Sequence, residues 1–242
     1  MNHVDKTHKG FTLIELMLAM TFISVLLLAI AMTIIQVGAI YNKGVALKDI
    51  NQSGRGISDD ISRTVAASEA FSLTTDYVTG TDGGRVCLGS YSYIWNYAKS
   101  FPNGSGLTWN QNDTTKGTQL HLVKVPDAGK IYCQEDGTGA LSYPYIRTAD
   151  VAQSQELIPS GDHSLGIEQL TLSTTTGPND TAYDPATNER LYALTYVLGT
   201  GNISAMNNTQ TACLPPGSAN SDVTYCNVEQ FSLVLRAGNR VN

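Results

Sequence analysis

Four cysteines, Cys87, Cys133, Cys213 and Cys226, are the residues of this 242-residue chain best placed to form covalent bonds. None lies in the uncharged run Leu16–Asn42. An even number of cysteines on the far side of such a run points to disulfides, provided that side is outside the cytoplasm. Three connectivities are possible, and the local pairs Cys87–Cys133 and Cys213–Cys226 are favoured. The second would close a loop from Leu214 to Tyr225 that contains Pro215-Pro216-Gly217. On the chain-entropy view such a closure adds about 3 kcal/mol. Zinc is disfavoured, because closely spaced Cys or Cys/His ligands are absent.

Other reactive residues are sparse. Beyond residue 10 the histidines are His121 and His163. His121 alternates with Leu120 and Leu122 and reads as an exposed strand residue. His163 follows Gly161-Asp162 in a loop. No nucleophile-elbow, zincin or P-loop pattern occurs, and a Ser/His/Asp set drawn from so many Ser and Asp residues carries no weight. Asn179, Asp180, Asp184, Asn188 and Glu189 crowd one loop between prolines. Calcium takes oxygen ligands from such loops, but a solvated polar loop is the plainer reading. Asn202-Ile203-Ser204 is a weak glycosylation signal. Tyr91, Tyr93, Trp95 and Tyr97 recur with period 2, with Phe101 and Trp109 nearby. They suit packing against a helix or neighbouring subunits, or else a ligand face. No catalytic residues, and no cofactor beyond that weak calcium reading, follow from these types and spacings.

Bulk composition narrows the class further. The net charge is −6, and charged residues make up 15% of the chain, against about 25% in soluble domains. Hydrophobic residues at 42% suffice for a core. Without residues 1–10 the chain carries 13 Lys+Arg against 20 Asp+Glu, which disfavours strong nucleic-acid binding.

The apolar residues are unevenly spread. Leu16–Asn42 is 27 residues without a charged side chain or a proline. A bilayer core about 30 Å thick needs about 20 apolar helical residues. A cleaved secretory signal has a shorter apolar stretch and a small-residue cleavage site after it, which does not fit. A plain signal anchor fits the length but leaves Glu15 unexplained, since a carboxylate near the end of a span calls for a partner or a function.

Lys9-Gly10-Phe11-Thr12-Leu13-Ile14-Glu15-Leu16 stands directly before the apolar run. This closely resembles the signal of type IV prepilins and pseudopilins. The resemblance implies that residues 1–10 are a leader, that a prepilin peptidase cuts Gly10–Phe11 on the cytoplasmic side, and that the new amine of Phe11 is methylated. Gly10 would let an extended backbone enter a narrow cleft. The family's Glu, here Glu15, is thought to pair with the amine of a neighbouring subunit and so set axial register. The segment Leu47–Arg63 is loosely similar to PilW-like minor pilins. The resemblance further implies a bacterial inner-membrane protein, single-pass, with its C-terminal domain in the periplasm and later in a pilus or pseudopilus at the cell surface. Its partners would be major and minor pilins, the prepilin peptidase, the inner-membrane assembly platform and membrane lipid. Many pilins also close a C-terminal loop with a disulfide.

The elements that must carry these residues follow from periodicity. A long helix is expected from Phe11 to about Ala66, roughly 84 Å at 1.5 Å per residue. Residues 11–40 form its membrane half and 41–68 its periplasmic half. Val45, Leu47, Ile50, Ile57, Ile61 and Val65 form a sparse apolar stripe whose last intervals suit a helical face. Gly38 and Gly44 invite a bend or local unwinding. Strands are expected at 85–96, 118–125, 130–133, 166–174, 190–200 and 228–236. The turn dipeptides between them are Asp82-Gly83, Asn103-Gly104, Asp136-Gly137 and Pro216-Gly217. The fold class is α+β, a long helix packed on an antiparallel β-rich domain over residues 69–242. With the resemblance, this implies a pilin fold and a non-enzymatic minor pilin that helps to initiate or cap pilus assembly. The alternatives are a type II secretion pseudopilin at a tip, a pilus-tip adhesin, or a DNA-uptake pilin.

Overall fold

The computed structural model describes residues 10–102, 106–109, 120–136, 142–143, 145–158, 165–174, 183–184, 189–200 and 203–238. The chain divides into two units, residues 1–42 and 43–242. One helix, α1, runs Leu13–Ala66. Thr12 caps it, and the ladder begins with Leu16 N–H donating to the Thr12 carbonyl at 3.2 Å. The helix continues through Gly38 and Gly44 without unwinding.

In the first unit no described side chain is buried. Exposed large apolar residues run from Phe11 to Ile40, and none of the best spanning window is buried. Left in water, each would forgo about 1.5–3 kcal/mol of burial. This helix is long and apolar enough to cross a membrane.

In the second unit α1 becomes one-sided. Its buried residues are Ala46, Ile50, Gly54, Ile57, Ile61 and Val65, at steps of 4, 4, 3, 4 and 4. The expected stripe is thus corrected at its start. Leu47 is exposed and Val45 only half-buried, while the small residues Ala46 and Gly54 take their places. Gly54 is required by close approach, because a Cβ there would lie 2.1 Å from Phe231 Cζ.

Two antiparallel sheets cover the stripe. The first has the order β1 (Tyr77–Thr79), β2 (Gly83–Cys87), β3 (Tyr91–Asn96), β4 (Leu122–Pro126) and β5 (Gln155–Glu156). In the second, β8 (Glu189–Thr200) is flanked by β6 (Leu165–Thr174) on one side and β9 (Val228–Ala237) on the other, with the short β7 (Tyr183–Asp184) beside β8's start. A parallel bridge between Tyr97 and Ile167 joins the sheets. The main core gathers Ile50, Ile57, Ile61 and Val65 with Tyr93, Trp95 and Leu122 from one sheet and Leu170, Tyr196 and Leu235 from the other. A second core, with Ile94, Val123, Val125 and Tyr132, lies on the opposite face of the first sheet.

Two strand expectations change. Residues 85–96 form a hairpin rather than one strand, because Gly89 turns the chain at φ +90°. Residues 130–133 are not a strand. Lys130 adopts φ 53°, and Ile131–Cys133 is a short 3-10 helix. Asp127 accounts for this, since its Oδ1 accepts from Ile131 N–H at 2.9 Å and its Oδ2 from Ser92 Oγ at 2.6 Å. A carboxylate that satisfies the turn's own amides competes with ladder pairing. Pro216-Gly217 forms the expected turn, with Gly217 at φ +90° and Ser218 N–H donating to the Pro215 carbonyl at 3.2 Å. The dipeptide Asn103-Gly104 lies outside the described residues, as does Gly137. The only other α-helix among the described residues is Thr148–Val151.

Two helix glycines give opposite expectations. A Cβ at Gly56 meets nothing within 4 Å, so Gly56→Ala should raise stability by up to about 1 kcal/mol through helix propensity. Gly54→Ala should lower it despite the same propensity gain, because Phe231 must move. Urea unfolding of the detergent-solubilised chain checks both signs.

Candidate functional site

The six residues before the apolar run are arranged around the helix N-terminus. Gly10 and Phe11 precede α1, and the Phe11 side chain is 79% exposed. A Cβ on Gly10 would meet nothing within 4 Å. The folded chain itself therefore does not require glycine there. Thr12 and Glu15 form a reciprocal cap. Glu15 Oε2 accepts from Thr12 N–H at 3.0 Å and from Thr12 Oγ1 at 2.9 Å, while Glu15 N–H donates to Thr12 Oγ1 at 3.3 Å. This is a capping box, which satisfies amides that a helix start leaves orphaned. The T-x-x-E spacing could have announced it from sequence. Lys9 and the rest of residues 1–9 lie outside the described residues.

The cysteines pair as Cys87–Cys133 and Cys213–Cys226. Among the described residues no cysteine is free. Cys87–Cys133 ties the end of β2 to the 3-10 turn. Arg85, 1% exposed, reinforces the same junction: its Nη1 donates to the Tyr132 carbonyl at 2.6 Å and the Tyr143 carbonyl at 2.9 Å. Burial lowers its pKa to about 10, so it stays charged at neutral pH. Nothing in the sequence pattern marked Arg85 as an interior brace.

The aromatic run is mostly a packing surface. Tyr93 and Trp95 are fully buried in the main core, Tyr97 lies at its edge, and Tyr91 alone is exposed, at 40%. Tyr93 OH donates to Asp60 Oδ2 at 2.6 Å, and Lys124 Nζ reaches the same carboxylate at 3.1 Å and Thr64 Oγ1 at 2.8 Å. Burial raises the Tyr93 pKa, with the Asp60 contact adding to it. The cluster fastens β3 and β4 to α1 and leaves no free nucleophile. Tyr196 does the same for the second sheet, donating to the Gly54 carbonyl at 2.6 Å. Phe101 rests edge-on against His121, with centroids 4.7 Å apart. His121 is therefore half-buried, not exposed, and desolvation lowers its pKa. Trp109 is buried in the second core.

The calcium expectation falls mostly outside the described residues. Asn179, Asp180 and Asn188 lie there, as does His163, and Asp184 is placed by its backbone in β7. Glu189 accepts a bond from Arg236. Among the described residues no group of three or more His, Cys, Asp or Glu converges as for a metal. The cavity under α1, lined by Ile61, Phe71, Trp95 and Leu170 among others, holds about 20 Å³ and is wholly apolar. It is too small for a substrate.

Glu168 is the residue that the sequence reading missed. It sits at a bulge in β6, where Ile167 pairs with Leu198 and Gln169 with Val197. It is 2% exposed, and neither carboxylate oxygen has a hydrogen-bond partner among the described residues. Its Cγ and Oε1 lie over Gly199, where a Cβ would come within 3.0 and 2.9 Å of them. Burial raises its pKa to about 8. The signal was present in the alternation, since Glu168 shares phase with inward-facing Leu170 and Leu172.

No family model, curated protein or solved structure matches the chain.

Glu168 makes stability fall with rising pH. Between its ordinary value of 4.5 and the raised value of about 8, the unfolded chain is charged at this site while the folded chain keeps its proton. The cost grows by about 1.4 kcal/mol per pH unit across that window. It is absent below the window and constant above it. Glu168→Gln removes the titration, so the stability of the variant relative to wild type should rise between pH 5 and 8. Unfolding midpoints measured across that range check the difference.

Proposed function

We propose that this chain is a minor-pilin-like structural subunit, cut by a prepilin peptidase between Gly10 and Phe11 and assembled through its helix into a type IV filament. The observation that carries the reading is one continuous arrangement. A basic residue, a glycine and an exposed phenylalanine precede a capped helix whose third residue is Glu15, and that helix stays uncharged from Leu16 to Asn42. Glycine at position 10 answers no contact within the fold. A protease cleft that admits only an unbranched backbone supplies the missing reason.

The helix then has two uses. In the membrane its apolar surface is covered by lipid. In a filament the same surface packs against equivalent helices, because an all-round apolar helix accepts either cover. The head carries two sheets on one helical face, and its disulfides suit an oxidising compartment. A pilin-type fold, a periplasmic head and an assembly-priming role belong to this reading. The head's polar groups at the helix support structure over catalysis: Tyr93, Lys124 and Tyr196 are spent on tying strands to α1.

Intact-mass spectrometry of the chain co-produced with a prepilin peptidase tests the reading. The expected product lacks residues 1–10 and carries one added methyl group on the Phe11 nitrogen, and Gly10→Val leaves the precursor uncut. A wild-type chain that stays full-length beside a peptidase active on its own substrate would refute it. For the priming role, deleting the gene in a retraction-deficient strain should remove surface filaments.

A further inference from the structure

The loop closed by Cys213–Cys226 stands out by its charge. Between Arg190 and Glu229 the only charged residue is Asp222. That carboxylate is turned inward on its own turn, Oδ1 accepting from Thr224 N–H at 3.0 Å and Tyr225 N–H at 2.9 Å. The loop nevertheless presents apolar side chains outward. Val223 is 51% exposed and Tyr225 46%, and Pro215 and Pro216 are exposed beside them. Its base is firm. Cys226, Ala205 and Met206 form a small buried cluster with Cys213 and Val228 packed against it. The Leu214 N–H donates to the Ala205 carbonyl at 2.8 Å.

The position of this loop along the chain gives the surface its meaning. Asn227, the residue after Cys226, donates from Nδ2 to the Lys43 carbonyl at 3.3 Å. Lys43 is the first residue after the uncharged run. If that run crosses a bilayer, Lys43 lies at headgroup level, where a cationic side chain is favoured on anionic lipid. Asn227 is then held at the same level and the disulfide loop within a few residues of it. A rigid, nearly uncharged loop that shows a tyrosine, a valine and two prolines matches the headgroup boundary, where amphipathic aromatic rings collect.

We propose that the Leu214–Tyr225 loop is a lipid-facing surface, seated on the headgroup layer of the bilayer that holds residues 16–42. It acts as a second anchor and fixes the orientation of the head on that bilayer. The proposal rests on the reading of residues 16–42 as a bilayer span and does not depend on the filament reading.

Photo-crosslinking of the full chain in phosphatidylethanolamine/phosphatidylglycerol vesicles tests it. p-Benzoylphenylalanine is placed singly at Val223, at Leu26 in the apolar run, and at Tyr91. Tyr91 is 40% exposed and lines a cleft with Asp60 and Arg63, so it lies about 30 Å further along the helix by the 1.5 Å rise. Lipid adducts are counted by mass spectrometry. The expected result is lipid labelling at Leu26 and at Val223, the latter several-fold above Tyr91. Labelling at Leu26 with Val223 no higher than Tyr91 overturns the loop contact and leaves the span standing. Adducts from Val223 to a second copy of the chain instead of lipid also overturn it. No lipid labelling at Leu26 removes the span, and the loop proposal with it.

Discussion

A helix that is apolar on every side cannot be satisfied by a domain that packs on one side of it. This constraint orders the whole molecule. Up to Asn42 the helix carries apolar residues around its full circumference, and none of its best spanning window is buried. From Ala46 onward the apolar residues retreat to one stripe, and there the head begins. The change of pattern marks where the environment must change, because all-round exposure needs lipid or other helices while a single stripe needs only a sheet. The uncharged run and the covered stripe are consecutive in the chain and nearly exclusive in sequence.

The stripe also decides how the head is built. Two sheets share one helical face, and Gly54 supplies the room for the Phe231 ring of the second. A larger residue at that point would push the ring away from α1. Polar groups then fasten what the apolar contacts have positioned. Asp60, Thr64, Lys124 and Tyr93 join helix to first sheet, while Gly54, Ser58 and Tyr196 join it to the second. Each of these groups is satisfied within the fold, which is the condition for burying them without loss. Glu168 breaks that rule, and its proton is the compensation.

Much of this was legible in the residues. The long helix, the three long strands of the second sheet and the α+β class follow from an uncharged run and from partial alternation, as at Leu170/Leu172 and Leu233/Leu235. The stripe was legible only in its second half. Hydropathy marks large residues, whereas Gly54 is buried for its smallness, which only Phe231 on the partner strand reveals. The 3-10 turn at Ile131–Cys133 was hidden for a related reason. Its sequence is strand-like, and Asp127, several residues upstream, overrides it by bonding the turn amides. His121 was read as exposed because its nearest neighbours in sequence are apolar; its covering ring, Phe101, comes from another segment. At the N-terminus the run Lys9–Leu16 was legible as a motif, whereas the cap that Thr12 and Glu15 make was overlooked.

That cap changes how Glu15 should be understood. In the single chain the carboxylate is not idle, for Oε2 takes both bonds from Thr12. A cap of this kind steadies the start of the helix. An amine arriving beside the carboxylate would be attracted far more strongly in a low-dielectric surrounding than in water. The two demands need not compete. Oε1 takes no bond from Thr12, so a partner's amine can approach from that side while Oε2 keeps the helix capped. In the filament reading, Thr12 then holds the carboxylate in one rotamer before any partner arrives, which lowers the entropy lost on pairing. The Thr-x-x-Glu spacing thereby links the folding of the helix start to the register that assembly would require.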